Sequence, residues 1–411
     1  MKILNFGSCN IDHVYSLDHI VAVGETETTN KVELFPGGKG LNQSIALARA
    51  GARVYHAGCV GHDSDILTDI LSQNGVDLSF LTKVDETNGH AVIQVSAVGE
   101  NSIFIYPGSN EMITKPLIDD VLAHFEKGDM LLLQNEISHV DYIVERAHEK
   151  GMCVLLNPSP FNERISKIDL RMISYLILNE IEAKEYSGKS DYQENIHYFR
   201  KNYPNLKVML TLGANGCVYF DKDREVHHGA YEIEVVDTTA AGDTFTGYFA
   251  AELSRGTDYS QILRIASGAS ALAVSRAGAA PSIPTYAEVL EALPDMRLRK
   301  KTGHNDHLRA EIDLYMQEHL RDASLDELAA RLGYSTTYTG NTVKRLTGQT
   351  FSKLLQAKRL TLAVKLLTET EIPVGEIIDI VGYKNESFFR DVFKAKYGKK
   401  PLEYRKTSVF R

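Results

Sequence analysis

The residues best suited to do chemistry lie in 236–247, VDTTAAGDTFTG, where small residues precede a single acid, Asp243. An apolar run, 231–236, comes before them and an amphipathic run follows, which predicts a strand, a tight turn and a helix start. The backbone N–H groups of Ala241, Gly242 and Asp243 would then be unpaired, and with the helix dipole they suit an anionic phosphate. An acid among such groups can take a proton from a hydroxyl that attacks that phosphate. The alternative is structural, since an acid is also a common N-cap and a glycine a common turn residue.

A second stretch, 37–42 (GGKGLN), opens the helix that we predict over 41–50. Glycines let a backbone come close to a ligand, and a helix start again offers N–H donors. Lys39 and Asn42 add side-chain donors that suit hydroxyl groups. The spacing is not that of a Walker A loop, and a glycine-rich turn before a helix is also ordinary structure.

Polar residues follow several apolar runs at the points where strands would end. Because open α/β sheets bind ligands at the carboxyl ends of their strands, this shared position indicates one ligand-binding edge. Asp12 could accept two sugar hydroxyls there, although by itself a turn or cap role explains it equally well. The clusters are Asn10 to Asp12, Glu136, Asn179 to Glu182, and Thr211 to Gly216.

Short apolar runs alternate with helical patterns from residue 2 to about residue 294, which predicts an α/β fold with a doubly wound parallel sheet. Two stretches, 13–35 and 89–106, alternate with period two and predict a small antiparallel flap beside that sheet. The predicted strands include 2–6, 54–59, 130–133, 153–156, 175–178 and 208–212, and the predicted helices include 41–50 and 140–150.

Length and charge divide the chain. At 411 residues it is too long for one average domain. Near residue 294 the pattern gives way to a polar, basic segment, so we predict domains at 1–294 and 307–406 with a linker at 295–306. Residues 1–294 carry a net charge of −16 and residues 295–411 one of +7. A basic C-terminal domain indicates a nucleic-acid partner, although a basic face is often simply solvated.

Cysteine use and hydropathy bear on the compartment. Cys9, Cys59, Cys153 and Cys217 are far apart, lack metal-binding or redox spacing, and lie in apolar contexts. No apolar run is long enough to span a membrane, and the first residues read as a strand rather than a signal peptide. We therefore expect a cytoplasmic protein with buried free thiols and no membrane partner.

The basic region contains an internal near-repeat. LGYS at 332–335 recurs as VGYK at 381–384, and VKRLTG at 343–348 recurs as FKAKYG at 393–398. Each copy reads as a helix-turn-helix motif, so we predict an all-α domain with two of them. A helical bundle used for dimerisation or stability is the alternative, but two copies and the basic charge favour binding to double-stranded DNA. The predicted helices are 325–332, 336–346, 351–367, 374–381 and 386–397.

Residues 4–284 resemble the ribokinase/PfkB family of sugar kinases, and within it the ribokinase branch. The motifs that carry this resemblance are GSCNID at 7–12, GGKGLNQ at 37–43, NP at 157–158, NEIE at 179–182, TLG at 211–213, DTTAAGDTFTG at 237–247 and AGAAPS at 277–282. The resemblance implies a ribokinase-like doubly wound sheet with a small β-flap lid that makes a homodimer contact. It also implies ATP-dependent phosphorylation of a sugar's primary hydroxyl, with Mg²⁺ and an activating monovalent cation, K⁺.

The resemblance also implies roles for matching positions. Asp243 would be the catalytic base, and the amides of Ala240, Ala241, Gly242 and Asp243 would form the anion hole. The sugar would be held by Asn10, Asp12, Gly38, Lys39, Gly40, Asn42, Glu136 and Asp243. ATP would be held by Asn179, Thr211, Gly213, Gly216, Gly242 and Ser267, with Ser267 in place of the family's usual His or Asn. Glu182 would organise Mg²⁺ through water, and the monovalent cation would lie among Asp237, Thr239, Ala273, Arg276, Gly278 and Ser282.

Residues 312–405 resemble the C-terminal domain of AraC/XylS-family transcription regulators, including the ending GKKPLEYR at 398–405. In that family two recognition helices enter successive major grooves. Val343 replaces the family's usual Phe, and Gly340 lies inside the first recognition helix, so we expect the second copy to dominate the affinity. The candidate DNA contacts are Ser335, Thr336, Thr337, Thr339, Asn341 and Lys344 in the first copy, and Asn385, Ser387, Arg390 and Lys394 in the second.

These features predict a sugar kinase fused to a DNA-binding domain, with ribose as the first candidate substrate and deoxyribose or another pentose next. One hypothesis is an active kinase that also regulates transcription. Another is a sensor whose kinase fold binds sugar or nucleotide but turns over slowly or not at all. A third is a metabolic kinase whose tail only assembles oligomers. The retained Asp243, anion hole and cation loop favour the first hypothesis.

Overall fold

Strands and helices alternate along the first 299 residues, as the sequence pattern predicts. The computed structural model describes residues 1–96, 101–299, 304–332, 334–370 and 372–408, and the chain divides into a first unit, Met1–Lys300, and a second unit, Lys301–Arg411. The strands are β1 (Ile3–Phe6), β2 (Asn10–Leu17), β3 (Lys31–Gly37), β4 (Val54–Val60), β5 (Asp77–Lys83), β6 (Gly89–Ser96), β7 (Asn101–Tyr106), β8 (Met130–Leu133), β9 (Cys153–Leu156), β10 (Tyr175–Asn179), β11 (Lys207–Thr211), β12 (Cys217–Phe220) and β13 (Glu225–His228). The helices of this unit are α1 (Lys39–Arg49), α2 (Asp65–Gln73), α3 (Lys115–Ala123), α4 (Val140–Glu149), α5 (Glu163–Ser166), α6 (Glu180–Ser187), α7 (Tyr192–Asn202), α8 (Ala241–Ser254), α9 (Tyr259–Val274) and α10 (Tyr286–Ala292).

Nine of the described strands form the main sheet, in the order β13-β12-β11-β10-β9-β8-β1-β4-β5. Within this sheet the seven strands β11, β10, β9, β8, β1, β4 and β5 pair in parallel with their neighbours, and β12 and β13 add an antiparallel edge. Successive strand residues belong to opposite cores: Ile3 packs with α1, α2, α8, α9 and α10, whereas Leu4 packs with α3, α4 and α7. The predicted doubly wound sheet is therefore confirmed.

The flap is a four-stranded sheet in the order β3-β2-β6-β7, but it is not wholly antiparallel as predicted. Its two central strands, β2 and β6, pair in parallel. Each follows a strand of the main sheet, β1 or β5, and those two run in the same direction. The chain therefore enters the flap twice with the same orientation, and only the outer strands β3 and β7 return antiparallel.

The strand predicted over 231–236 does not form. This segment leaves the edge strand β13 and reaches the end of α9, where the Val236 N–H donates to the Val274 carbonyl at 2.8 Å. A strand needs a continuous partner, and the segment has only one bridge, between Tyr231 and Leu298. Of the predicted linker 295–306, residues 295–299 belong to the first unit, 300–303 lie outside the described residues, and 304–306 begin a helix of the second unit.

Helices α1 and α8 pack unusually close because α8 has a glycine at the contact. A Cβ on Gly247 would meet the Ala46 side chain and would lie 2.9 Å from the backbone nitrogen of Leu47. Asp243 lies one turn before Gly247, and residues 42 and 43 lie one turn before Ala46 and Leu47. The contact therefore brings the first turns of both helices together.

The second unit is helical, as predicted. Its helices are α11 (His304–Glu318), α12 (Leu325–Leu332), α13 (Thr336–Thr347), α14 (Phe351–Glu369), α15 (Val374–Ile380), α16 (Glu386–Tyr397) and α17 (Pro401–Ser408). Two small cores form around α14: Phe351 and Leu355 pack with α11, α12 and α13, whereas Leu360 and Leu367 pack with α15 and α16. None of the described helices in either unit has the length and apolar character needed to cross a membrane.

The near-repeat in sequence is also a repeat in structure. Ser335 and Asn385 are the N-caps of α13 and α16, and each side chain accepts a hydrogen bond from a backbone N–H of its helix. Both helices end at a left-handed glycine, Gly348 and Gly398, each with φ of 75°. Equivalent residues of α13 and α16 are therefore 50 positions apart, whereas the Gly-Tyr turns before them are 49 apart.

Replacing Gly247 by alanine should destabilise the first unit, because the added Cβ has no room against α1. Overpacking costs roughly 1–3 kcal/mol, more than the about 1 kcal/mol that alanine gains over glycine inside a helix. Gly340 in α13 is the matched control, since an added Cβ would meet only Leu325 Cδ2, at 3.4 Å. Gly340→Ala should stabilise the second unit. Thermal unfolding measures both, and an unchanged midpoint for Gly247→Ala would contradict the tight contact.

Candidate active site

The N-terminus of α8 offers backbone donors. Its N-cap, Ala240, has φ of 58°, a left-handed conformation that costs a non-glycine residue on the order of 1 kcal/mol or more. Among the described residues, the N–H groups of Gly242 and Asp243 have no hydrogen-bond partner. The Ala241 N–H, also predicted to be unpaired, donates to the Thr238 carbonyl at 3.3 Å. Two of the three predicted amides therefore lack a partner within the described part of the chain. Two adjacent donors at the positive end of a helix can bind an anion.

The Asp243 carboxylate is buried and is held by two side chains of α1. Gln43 Nε2 donates to Oδ1 at 2.8 Å, and Asn42 Nδ2 donates to Oδ2 at 3.3 Å. Hydrogen bonds to a carboxylate are stronger than those between neutral groups, so these two donors fix the position of the acid. An ionised carboxylate beside free amides can accept a proton next to a bound phosphate.

A chain of buried polar side chains supports Gln43 from behind. Gln134 Nε2 donates to Gln43 Oε1 at 2.7 Å and to Asn5 Oδ1 at 2.9 Å. Asn5 Nδ2 donates to Ser44 Oγ at 2.8 Å, and Ser44 bonds to His56 Nδ1 at the same distance. Burial lowers the pKa of His56 to about 4, so the ring is neutral. Sequence reasoning missed these residues; the available signal was a polar residue inside an apolar strand, such as Asn5.

Lys39 and Glu136 are two charged residues close to Asp243. Glu136 Oε2 accepts hydrogen bonds from Ser8 Oγ at 2.5 Å and from the Lys39 N–H at 2.9 Å. Burial raises the pKa of Glu136. The pKa of Lys39 is raised as well, chiefly by Asp243 and further by Glu136, against the opposing effect of burial. Lys39 is thus a cation shared by two carboxylates, and it stays charged.

Asp12 lies at the start of β2, where its carboxylate packs against the backbone of Gly37. Burial, and then the charge of Glu136, raise the pKa of Asp12 to about 7. A cavity of about 230 Å³ is lined by Asn10 and Glu136 together with Asn110 and Asn135, two residues that the sequence did not single out. Asn110 Nδ2 donates to Asn10 Oδ1 at 2.7 Å.

The glycines assigned to the sugar site are placed differently from one another. Gly38 is the N-cap of α1, with φ of 92°, and lies close to the backbone of Asn10. Gly40 is buried against the backbone of Gly7 and Ser8. Gly40 therefore allows the close packing of α1, and its contact with a sugar stays a prediction.

A cavity of about 420 Å³ lies between the turn after β11 and helices α8 and α9. It is lined mostly by small and apolar residues such as Ala214, Ile233 and Ala271. Ser267 is on its wall, with its Oγ 3.5 Å from Cys217 Sγ. Of the predicted ATP-binding residues, five line this cavity: Thr211, Gly213, Gly216, Gly242 and Ser267.

Asn179 lines a second cavity, of about 210 Å³, that also contains Lys39, Glu182 and Asp243. Asn179 and Glu182 form a capping box at the start of α6, and Ser159 donates to the other Glu182 oxygen. Four residues line both cavities: Thr211, Thr238, Ala241 and Gly242. The larger, apolar cavity therefore meets the smaller, charged one at the N-terminus of α8.

The predicted cation loop is closed by Asp237. Thr239 N–H donates to Asp237 Oδ1 at 2.9 Å and Gly278 N–H donates to Oδ2 at 2.9 Å, which joins the two segments of the loop. Although burial alone raises the pKa of Asp237, the bonds from Thr239 and Gly278 bring it below its usual value. Ser282 Oγ donates to the Ala279 carbonyl. The Ala273 carbonyl accepts a hydrogen bond from the Arg276 backbone N–H, and the Arg276 guanidinium donates to Glu288.

The second unit exposes one face on each of α13 and α16. Thr337, Asn341 and Lys344 are exposed on α13 at helical spacing, and Ser387, Arg390 and Lys394 are exposed on α16. Ser335 and Asn385 are exposed but their oxygens serve as N-caps, Thr336 bonds to Asp326, and Arg390 pairs with Glu386. The prediction for Thr339 is wrong, since this residue is fully buried and faces the core of the unit.

Comparisons with known proteins agree with this geometry. The sequence model of the pfkB family carbohydrate kinases matches residues 1–286. The chain belongs to this family. A ribokinase of Haemophilus influenzae is 34% identical over 296 residues, covering 70% of this chain and 96% of the relative. A ribokinase of Bacillus subtilis is 35% identical over 291 residues, covering 70% and 97%.

Solved structures and the second unit complete the comparison. The kinase fold superimposes on ribokinase from Cryptococcus neoformans in complex with ADP, with a TM-score of 0.63 and 33% identity over 71% of this chain and 99% of that one. Arabidopsis thaliana ribokinase complexed with ribose and ATP gives a TM-score of 0.64 at 28% identity, covering 71% and 98%. Residues 328–407 match a helix-turn-helix domain, so the kinase domain is fused to a C-terminal domain of the AraC type.

Removing the Gln43 donor should impair the kinase through Asp243. Gln43→Met keeps the length of the side chain but leaves Asp243 Oδ1 without its 2.8 Å partner. A hydrogen bond to a charged group contributes about 1.5–3 kcal/mol, so turnover should fall roughly 10- to 100-fold with little change in the sugar KM. The change should have no further effect in the Asp243→Asn background. Additive losses in the double variant would show that Gln43 acts independently of Asp243.

Proposed function

We propose that the first unit transfers the γ-phosphoryl group of ATP to the primary hydroxyl of a pentose, with ribose as the first candidate. The observation that carries this proposal is the junction of the two cavities at the N-terminus of α8. The larger cavity has the size and apolar lining suited to a nucleoside, and the smaller one holds Lys39, Glu182 and Asp243 beside the amides. A phosphate chain running from one cavity into the other ends at the carboxylate.

In this mechanism the sugar hydroxyl oxygen bonds to the γ-phosphorus of ATP while Asp243 accepts the hydroxyl proton. The bond between the γ-phosphorus and the β-phosphate oxygen breaks, and ADP leaves. The amides of Gly242 and Asp243 bind the oxygens on which negative charge accumulates. Lys39 balances the charge on the side of Glu136, while Gln43 keeps Asp243 pointed at the hydroxyl. Positioning and charge neutralisation of this kind are the main contributions that proteins make to phosphoryl transfer.

Two cations fit the donor sets of the site. Glu182 is a buried carboxylate on the wall of the smaller cavity, and carboxylates that act through water suit Mg²⁺. The segments joined by Asp237 offer carbonyl and carboxylate oxygens, which suit a monovalent cation such as K⁺. Mg²⁺ would neutralise phosphate charge and would depend on Glu182. The monovalent cation would depend on Asp237.

Ribose is the first candidate because the more similar named relatives are ribokinases. Relatives named ribokinase are 34% and 35% identical, whereas a deoxyribokinase of Salmonella typhi is 28% identical. The test is a turnover assay of the full chain with ATP across ribose, deoxyribose, other pentoses, fructose and nucleosides. Ribose should give the largest kcat/KM. Binding of sugar and ATP without turnover would favour the alternative of a sensing regulator with an inactive kinase domain.

For the second unit we propose binding to double-stranded DNA as a transcription regulator. The exposed faces of α13 and α16 share two equivalent positions, Thr337 with Ser387 and Lys344 with Lys394, and such polar and basic side chains suit base and phosphate contacts in successive major grooves. We also propose a homodimer through the flap, since its outer strand β7 exposes Ile103, Phe104 and Ile105. A solvent-exposed apolar strand of this kind is a common association surface.

Changing Asp243 to Asn should abolish most of the activity. The substitution keeps the size of the side chain and removes the base, so turnover should fall by roughly 10²–10⁴-fold. Sugar binding should persist through Asp12, Lys39, Asn42 and Glu136. Steady-state kinetics and calorimetric titration measure the two effects, and near-normal turnover would show that Asp243 is not the base.

Sugar binding should release a proton near neutral pH. In the ligand-free protein the pKa of Asp12 is about 7, far above that of an unfolded chain, so this group stabilises the free protein at low pH and the contribution is lost as pH rises through 7. Sugar hydroxyls donate to the ionised carboxylate, so ribose should release about 0.9 proton at pH 6 and bind roughly tenfold more weakly there than at high pH.

Calorimetry of ribose binding in two buffers of different ionisation enthalpy measures this proton directly. The same titration at pH 9 is the control, because Asp12 is then already ionised. Binding at pH 6 without proton release would contradict a role for the Asp12 carboxylate in holding the sugar.

Removing Lys394 should weaken DNA binding without affecting turnover. Lys394→Ala deletes a cation from the exposed face of α16 and should lower the slope of log affinity against log salt by about 1. Arg390→Ala should act in the same direction, although part of its charge is already balanced by Glu386. Lys222→Ala, an exposed lysine of the kinase unit, is the control. Titration of a duplex selected from a random pool measures the effect, and equal salt slopes would exclude α16 from the interface.

A further inference from the structure

Arg299, the last described residue of the kinase unit, lines the nucleotide-sized cavity. Arg299 N–H donates to the Ala230 carbonyl at 2.8 Å, and the Arg297 carbonyl accepts from Glu232 N–H at 2.8 Å. Leu298, between them, bridges Tyr231. We call residues 297–299 the exit segment, because the next described residue begins α11 of the second unit. Its backbone is therefore anchored to the wall formed by 230–232.

Arg299 is the one charged residue among the described residues that line the 420 Å³ cavity. No hydrogen bond or ion pair joins its guanidinium to the described residues, so those residues do not account for its position on the wall. Arg299 does not line the smaller cavity, whereas Thr211, Ala241 and Gly242 line both. It therefore lies away from the junction where the phosphates would be held.

We infer that Arg299 binds the base of the nucleotide, and that through it nucleotide occupancy is transmitted to the exit segment and the DNA-binding unit. A planar guanidinium can stack on an aromatic base and donate to its ring nitrogens and carbonyl oxygens. The other lining residues are small, apolar or uncharged, so Arg299 supplies a contact that they do not. This inference rests on the proposed use of the cavity for ATP.

In the sequence, the exit segment lies between the residues that the kinase family model matches and the start of the second unit. The family match ends at residue 286, and residues 297–299 follow it. Residues 300–303 alone separate Arg299 from the start of α11 at His304. A nucleotide that binds Arg299 therefore acts on the residues of the kinase unit nearest in sequence to the DNA-binding unit, and any effect on DNA affinity must be matched by an equal effect of DNA on nucleotide affinity.

The first test measures ADP binding by the full chain, by calorimetry, for Arg299→Ala, Arg299→Lys and the control Arg297→Ala. Arg297 is two residues away in the same segment and does not line the cavity. Arg299→Ala should weaken ADP binding roughly 3- to 30-fold, Arg299→Lys should weaken it less, and Arg297→Ala should leave it unchanged. Inorganic triphosphate, which has no base, should bind the wild type and Arg299→Ala equally. Equal ADP affinities, or an equal loss for triphosphate, would overturn the base contact.

The second test measures affinity for a duplex selected from a random pool, with and without saturating ADP, at one salt concentration. In the wild type ADP should change the affinity by about 5- to 150-fold, and Arg299→Ala should reduce that factor. An unchanged wild-type affinity would overturn the transmission. A wild type that binds neither ADP nor ATP would instead refute the proposed kinase function, so the two failures are distinguishable.

Discussion

The close contact between α1 and α8 determines where the chemistry of the first unit can take place. Gly247 lets the two helices approach at Ala46, and one turn earlier the same faces bring Asp243 against Asn42 and Gln43. The helices run in the same direction, so their N-termini and the positive ends of their dipoles lie at the same side of the sheet. A larger residue at 247 would separate the acid from the two donors that hold it.

Charge in the site is arranged around a single lysine. Asp12, Glu136 and Asp243 are carboxyl groups in or near a buried region, and Lys39 is the cation that interacts with the last two. Burial without enough partners disfavours ionisation, which is why the pKa values of Asp12 and Glu136 rise. Hydroxyl donors or cations placed beside these carboxyl groups would relieve this cost.

The described part of the second unit has only small hydrophobic cores, so local interactions at the helix ends matter more to its stability. Each helix-turn-helix copy has only a few large buried side chains, and α14 contributes to both. The N-cap residues Ser335 and Asn385 and the glycines after each recognition helix fix the ends of α13 and α16. These local interactions use the side-chain oxygens of the two N-cap residues, whereas Lys344 and Lys394, further along the two helices, are exposed.

The sequence by itself determined the elements and their order. The strands 130–133 and 153–156 and the helices at 325–332 and 386–397 have the predicted bounds, because periodicity and capping are encoded locally. Tertiary structure decided what depends on partners distant in sequence. Gln43 bonds to Asp243, which lies 200 positions away in the sequence. The segment 231–236 forms one isolated bridge instead of a strand, and the Thr339 side chain is buried. No local pattern carries these outcomes, since each is set by which surfaces the folded chain brings into contact.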